Sequence, residues 1–316
     1  MLRTLLVLLV ACTSFGVQAQ YPSKPVRVVL QFPAGGLADT VIRVLANPLA
    51  QSLGQPVVVD NKPGADGAIA GETVKNAAAD GYTLFFATNS ALSATPVLRK
   101  KPPYDPVADF TPIALVGRFP FFVFAHPSLQ VKSLQDLVAQ AKAHPGKLNY
   151  GSGNTTSILA TAQLASLARI EMVHIPYKGD APLMQDLVAG RLHFAIASTA
   201  PGAGLAKDGK IKVLATLLAR RSHLFPDAPT MAESGFPQYS LVPWGAMVGP
   251  AGMPRDIVER IARETNAAVA NAQVKEALDK FGFELQGSSP DELGKFIRDQ
   301  LVAWRTAVKE AGIQPD

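Results

Sequence analysis

The octapeptide Phe32-Pro33-Ala34-Gly35-Gly36-Leu37-Ala38-Asp39 is the stretch of this 316-residue chain whose residue types best suit the holding of a ligand. It follows a β-branched run and opens a helical pattern, so two glycines stand where a strand turns into a helix. Glycine lets the backbone approach a ligand closely, and the amides of a first helical turn have no carbonyl partner of their own. The helix dipole favours an anion at that end, and no basic side chain is required. The alternative is a tight strand-to-helix turn with Asp39 as a simple cap. The spacing matches neither G-x-G-x-x-G nor G-x-x-x-x-G-K-[ST], so nucleotide binding is poorly supported and no cofactor is expected.

Similar loops recur at later strand ends. They are Thr88-Asn89-Ser90-Ala91, Gly151-Ser152-Gly153-Asn154-Thr155-Thr156-Ser157, Pro176-Tyr177-Lys178-Gly179-Asp180 and Ser198-Thr199-Ala200-Pro201-Gly202. In open α/β sheets ligands sit beyond the carboxyl ends of strands, so all five loops can converge on one cleft. Their chemistry is neutral, made of hydroxyls, amides and glycine backbone, with Tyr177 and Lys178 the only aromatic and cationic candidates. Lys178 reads equally as surface charge. Such groups suit reversible capture of a carboxylate through hydrogen bonds of about 1.5–3 kcal/mol each when charge-assisted.

The same loops hold little for catalysis. His126, His144, His174, His193 and His223 show no H-E-x-x-H or other metal spacing, and there is no G-x-S-x-G elbow. His174 and His193 lie in strand patterns and read as structural histidines. A hydrolase would need Ser152 or Ser198 as nucleophile, and neither has a base placed by the sequence. The chain is therefore expected to bind without catalysing and to hold no metal. Trp244, beside Pro243, reads as hinge or core packing, and Arg220-Arg221 as a solvated pair.

Positioning these loops falls to short apolar strands alternating with helices. Val26–Leu30, Pro56–Asp60 and Thr83–Ala87 read as strands, with helices over Asp39–Leu53 and Gly67–Ala79. A second block, Leu134–Leu218, offers strands at Leu148–Tyr150, Met172–Ile175, Leu192–Ile196 and Val213–Thr216, with helices at Ser157–Ala168 and Ala181–Ala189. Strands separated by helices of ten to fifteen residues argue for βαβ units, and apolar strands without alternation for a sheet covered on both faces. Two apolar segments, Phe119–Ala125 and Leu241–Val248, read as buried strands or, taken as a pair, as the two crossings an inserted domain needs. Helical patterns at Arg255–Ala272 and Pro290–Ala311 would pack back on the first domain. The expected boundaries are 20–122 with 245–316 for one domain and 123–244 for the other.

The N-terminus pairs Arg3 with a short apolar run and ends Val17-Gln18-Ala19-Gln20, the pattern of a signal peptide cleaved after Ala19. The run is too short for a span, which takes roughly 20 apolar residues. Leu9-Val10-Ala11-Cys12 also resembles a lipobox, which would make the protein a lipoprotein through Cys12. Removing residues 1–19 leaves about 297, a length that usually divides into two domains. With 48% hydrophobic and 17% charged residues, the chain has enough apolar mass for two cores. Its one cysteine leaves the mature chain without a disulfide, in a compartment that permits them. The net charge of +5 is scattered rather than blocked, which gives no nucleic-acid signature.

In the order and spacing of several motifs the chain resembles the Bug family, the periplasmic substrate-binding proteins of tripartite tricarboxylate transporters. These are Tyr21-Pro22-Ser23-Lys24-Pro25-Val26, Pro33-Ala34-Gly35-Gly36 with Asp39, Val59-Asp60-Asn61-Lys62-Pro63-Gly64-Ala65, Asp80-Gly81-Tyr82-Thr83-Leu84, Pro176-Tyr177-Lys178-Gly179 and Pro229-Thr230-Met231-Ala232-Glu233-Ser234-Gly235. The resemblance covers essentially the whole mature chain. It implies an α/β, type II periplasmic-binding-protein fold, with two α/β domains, a ligand cleft between them and two hinge crossings. It also implies that Phe32, Ala34, Gly35, Gly36, Asp39, Asn89 and Ser90 grip one ligand carboxylate. Gly151, Ser152, Gly153, Thr155, Thr156, Tyr177, Lys178 and Ser198 would complete the pocket from the second domain. The expected partners are a small carboxylated ligand (a dicarboxylate, tricarboxylate, amino acid or aromatic acid) and the permease subunits of a tripartite transporter, or a sensor kinase reading the closed form. The protein is expected to act as a monomer in the periplasm. Many relatives carry an acidic residue just before the position of Ser198, where this chain has Ala197. Leu37-Ala38 is likewise more apolar than usual.

Overall fold

A computed structural model of the protein describes residues 21–310 and 312–315. The expected signal peptide, residues 1–19, and Cys12 lie outside the described residues. The chain opens with β1 (Val26–Leu30), α1 (Leu37–Leu53), β2 (Val57–Asn61), α2 (Ala68–Lys75) and β3 (Thr83–Thr88). β1 lies between β2 and β3, parallel to both, and is nearly all buried, as a strand covered on two faces must be. α1 packs Val41, Ile42, Leu45, Leu49 and Leu53 inward at helical spacing and stops at Gly54, whose φ of +70 suits glycine.

A π-helical turn (Ser90–Ala94) and α3 (Thr95–Leu98) lead to β4 (Phe110–Arg118), then directly to β5 (Phe121–Ala125). The second block follows as α4 (Leu134–Ala143), β6 (Asn149–Ser152), α5 (Thr155–Ala168), β7 (Val173–Pro176), α6 (Asp180–Val188), β8 (Phe194–Ser198), α7 (Thr199–Lys207) and β9 (Lys212–Thr216). The chain returns in β10 (Trp244–Pro250) and ends with α8 (Arg255–Ala270), α9 (Ala272–Asp279), β11 (Glu284–Leu285) and α10 (Pro290–Glu310). Two mixed sheets result, ordered β11-β4-β10-β3-β1-β2 and β7-β6-β8-β5-β9, so this is the two-domain α/β fold that the alternation and the resemblance implied. No described helix is long and apolar enough to cross a membrane.

Both apolar segments read as strands or crossings serve as both. The chain leaves the first sheet after Arg118 and enters the second at Phe121, then re-enters the first at Trp244, antiparallel to β3 and β4. The crossings run side by side, for the Phe119 amide donates to the Pro243 carbonyl at 2.9 Å.

Several local expectations are corrected. The segment read as one helix over Arg255–Ala272 breaks at Asn271, which is extended and caps α9 by accepting the Gln273 and Val274 amides. The helix expected to reach Ala79 ends at Lys75. The segment after β3 winds into a π-helical turn, and the one after β8 is already helical at Thr199. β4 was not marked in the sequence because Pro112 interrupts its run; in the sheet Pro112 pairs with Val248 at a register shift, where a residue without an amide proton is tolerated.

Candidate functional site

At the carboxyl ends of β1, β3, β6, β7 and β8 lies a cavity of about 420 Å³ between the two sheets. Phe32, Pro33, Gly35, Gly36, Leu37, Ala38, Thr88, Asn89 and Ser90 line it from the first domain. Phe119, Phe121 and Pro243 come from the crossings, and Gly153, Asn154, Thr156, Gly179, Asp180, Ala181 and Ser198 from the second domain. Among the described residues, no lysine, arginine or histidine lines it. Among the described residues, no cluster of three His, Cys, Asp or Glu could hold a metal ion.

The loop before α1 is shaped from behind. Asp39 is buried, and its Oδ2 accepts the Gly35 amide at 3.0 Å and the Arg43 Nε at 2.9 Å. Its Oδ1 accepts Asn61 Nδ2 at 3.0 Å, while Asn61 also donates to the Phe32 carbonyl at 2.9 Å. Arg43, which donates to Asn61 Oδ1 at 3.0 Å, closes the ring. The hydrogen bond from Arg43 is the main reason the Asp39 carboxyl is held down to about 2 from an ordinary 3.8. Asp39 therefore holds the loop rather than facing the cavity. The N-cap of α1 is Gly36, no side chain caps the helix, and Gly36, Leu37 and Ala38 at its start line the cavity. A Cβ on Gly35, whose φ is +88, would meet nothing within 4 Å.

Where the two domains meet, Asn89 Nδ2 donates to Thr156 Oγ1 at 2.9 Å, and Ser90 Oγ lies 3.1 Å from the same hydroxyl. Asn89 Oδ1 accepts the Trp244 amide at 3.2 Å, so one side chain ties β3, α5 and the second crossing. Beside them the Thr88 hydroxyl is buried without a hydrogen-bond partner in the protein, although Thr88 lines the cavity. A bound oxygen or amide would satisfy it.

Across the cavity, Asp180 opens α6. Its Oδ2 accepts the Ser198 amide at 3.1 Å and the Ser198 hydroxyl at 2.6 Å, and its Oδ1 accepts Asn154 Nδ2 at 3.1 Å. Burial pushes its carboxyl up, while these three donors pull it down. A Cβ at Gly153 would collide with Asp180 and with the Gly179 backbone, so glycine there lets the two loops close on each other.

Of the residues marked in the sequence, the cavity brings together Phe32, Gly35, Gly36, Asn89, Ser90, Gly153, Thr156 and Ser198. Ala34, Asp39, Gly151, Ser152, Thr155, Tyr177 and Lys178 are not among its walls. Ala34 and Lys178 are exposed, and Thr155 is buried in the first turn of α5. Gly151 lies against Leu183 and Leu192. The Tyr177 hydroxyl donates to Asp186 Oδ2 at 2.8 Å, which turns the ring along α6. Thr88, Asn154 and Asp180 stood in the quoted loops without being singled out; Asn154 and Asp180 lie 26 residues apart and meet only through the fold. Phe119, Phe121 and Pro243 reach the cavity only because the crossings run beneath it. Ala197, within β8, is fully buried among apolar residues, and the carboxylate beside Ser198 is that of Asp180.

The absence of a base beside Ser152 is corrected. Ser152 Oγ lies 2.6 Å from His174 Nε2, because Tyr150 and Ser152 on β6 share a face with His174 on β7. Ser152 is only 2% exposed and does not line the cavity, and among the described residues no carboxylate bonds the other ring nitrogen of His174. Burial lowers the imidazole's affinity for a proton, and the ring stacks on Tyr150. The pair fits a structural hydrogen bond.

Comparison with known proteins agrees with this fold. The chain is 37% identical to Protein BugT of Bordetella pertussis over 297 residues, covering 92% of this chain and 90% of that protein. It superposes on R. palustris Rpa4515, solved with adipate, at a TM-score of 0.84 and 32% identity, covering 94% of this chain and all of that one. The periplasmic binding protein BugD gives a TM-score of 0.81 at 31% identity, over 93% of this chain and 99% of that one. Residues 41–313 match the model named TctC, and the chain belongs to that family, the tripartite tricarboxylate transporter family receptors.

Proposed function

We propose that the protein is a periplasmic receptor that captures a small carboxylated solute in this cavity by domain closure and delivers it to the permease subunits of a tripartite transporter. One observation carries the reading: the uncapped first turn of α1 opens onto a cavity whose walls hold no cationic side chain. A carboxylate there would receive the free amides after Gly36 and the favourable end of the helix dipole. The unpartnered Thr88 hydroxyl supports a polar ligand group nearby. Phe32, Leu37, Phe119 and Phe121 supply an apolar middle for the ligand's carbon skeleton.

Closure follows from the topology. Two sheets are joined by adjacent crossings, and a ligand touching walls from both domains favours the arrangement in which both are near. The domains would be 20–122 with 245–316, and 123–244, give or take the crossing residues themselves. Residues 1–19 would be the export signal. The adipate bound by Rpa4515 supports the ligand class.

A thermal-shift screen of a small-acid library on the mature chain tests the reading, because a ligand specific to the folded state raises the melting temperature by mass action. A saturable rise with at least one carboxylate is expected. A melt that no acid moves, or a substrate consumed at catalytic turnover, would overturn it.

A further inference from the structure

Among the described residues Asp180 is the only ionisable side chain in the cavity wall, and its hydrogen-bond partners bear on its charge state. Oδ2 takes the Ser198 amide, which can only donate, and the Ser198 hydroxyl. Oδ1 takes the Asn154 side chain, whose orientation is not free: Asn154 Oδ1 accepts the Ser157 amide at 3.0 Å as the cap of α5, so Nδ2 must be the atom facing Asp180. Two obligate donors, one on each oxygen, and a hydroxyl free to donate a third bond favour the carboxylate form against the burial that pushes this carboxyl up.

That carboxylate has no counter-charge. No cation lines the cavity, and the described ion pairs do not include Asp180; only the first turn of α6, which it opens, offsets it. A half-buried carboxylate held by hydrogen bonds alone has its pKa pushed up, and an opposite charge beside it would stabilise the ionised form. It lines the same cavity as the first turn of α1, together with Phe119 and Phe121. The cavity therefore has one anion-seeking wall and one anionic wall.

Resting on the carboxylate reading above, we infer that the ligand carries an ammonium group at the end away from its carboxylate, that Asp180 receives that ammonium, and that the site selects against dicarboxylates. Asp180 is thereby a specificity-determining residue of this chain. A residue that merely stapled Ser198 and Asn154 would treat every acid alike; a charge facing the ligand cannot.

The test is calorimetric titration of the mature chain with matched acids of four, five and six carbons that differ only at the far end: the ω-amino acid, the unsubstituted monocarboxylate and the dicarboxylate. At the chain length that fits, the ω-amino acid is expected to bind at least tenfold tighter than the dicarboxylate. In Asp180→Asn that ratio should fall at least tenfold, with far-ultraviolet circular dichroism showing that the variant is folded. A dicarboxylate that binds wild type as tightly as the ω-amino acid overturns the inference and leaves the carboxylate site standing. An equal loss for all three acids in Asp180→Asn overturns it as well, making Asp180 a staple. If wild type binds none of the acids, the carboxylate reading fails and takes the inference with it.

Discussion

The side chain of Asn89 reaches from the end of β3 to the Thr156 hydroxyl of α5, 2.9 Å away, and so joins the two domains at the wall of the cavity. Its carbonyl is engaged by the Trp244 amide, where the chain returns to the first sheet. Asn89→Ala leaves that buried amide and the Thr156 hydroxyl short of partners. A loss of about 1–3 kcal/mol in stability is expected, read from urea denaturation. A denaturation curve that superposes on wild type would mean the bridge carries no energy.

Gly35→Val separates binding from folding. The new side chain points into open space, so its cost to the fold is that of the left-handed backbone at φ +88, about 1–2 kcal/mol. Far-ultraviolet circular dichroism should be unchanged, while the ligand's thermal shift disappears. Wild-type affinity in this variant would remove the β1–α1 loop from the site.

Asp39 sets a pH dependence of known sign. Its folded value of about 2 lies below the ordinary 3.8, so its ionised form adds stability that is fully present above 3.8 and is lost as the pH falls toward 2. The difference in melting temperature between wild type and Asp39→Asn should be constant above about pH 5 and shrink below about pH 4. A difference that stays constant down to pH 2 would show that Asp39 is not held below its ordinary value in the folded protein.

Asp180 has the opposite sign. Burial raises its folded value above 3.8, so the empty wild type should lose stability relative to Asp180→Asn as the pH rises through 3.8. The loss is complete once the pH passes the raised value. Melting curves of the two unliganded proteins across that range check it; a gap that does not change with pH would mean the carboxyl is not buried in solution.

Ser152 and His174 offer a control. Because the pair lies outside the cavity wall, Ser152→Ala should keep solute affinity within about twofold, and ester substrates should not be turned over by wild type. Hydrolysis lost with Ser152 would restore the enzyme reading.

Much of this arrangement was legible in the residues. The apolar runs of β1 and β3 and the Gly35-Gly36 pair before α1 mark local preferences that the packing keeps, and both apolar crossing segments were visible as such. What was not legible depended on distance along the chain. Asp180 and Ser198 meet only because β7 and β8 flank β6, and Phe119 meets Pro243 only because the two crossings are adjacent. Tyr177 carried the right chemistry but turns to Asp186, nine residues on, a choice made by packing along α6. Asp39 looked like a cap or a ligand group and is instead the post that holds the Gly35 amide.

Amide chemical shifts of the first turn of α1 give the most direct view of carboxylate capture. In a nitrogen-15 titration of the mature chain with an acid that raises its melting temperature, the Gly36, Leu37, Ala38 and Asp39 amides should move downfield together and saturate at the calorimetric affinity. If that acid binds while these four amides stay still, the carboxylate is not held by α1 and the central claim is wrong.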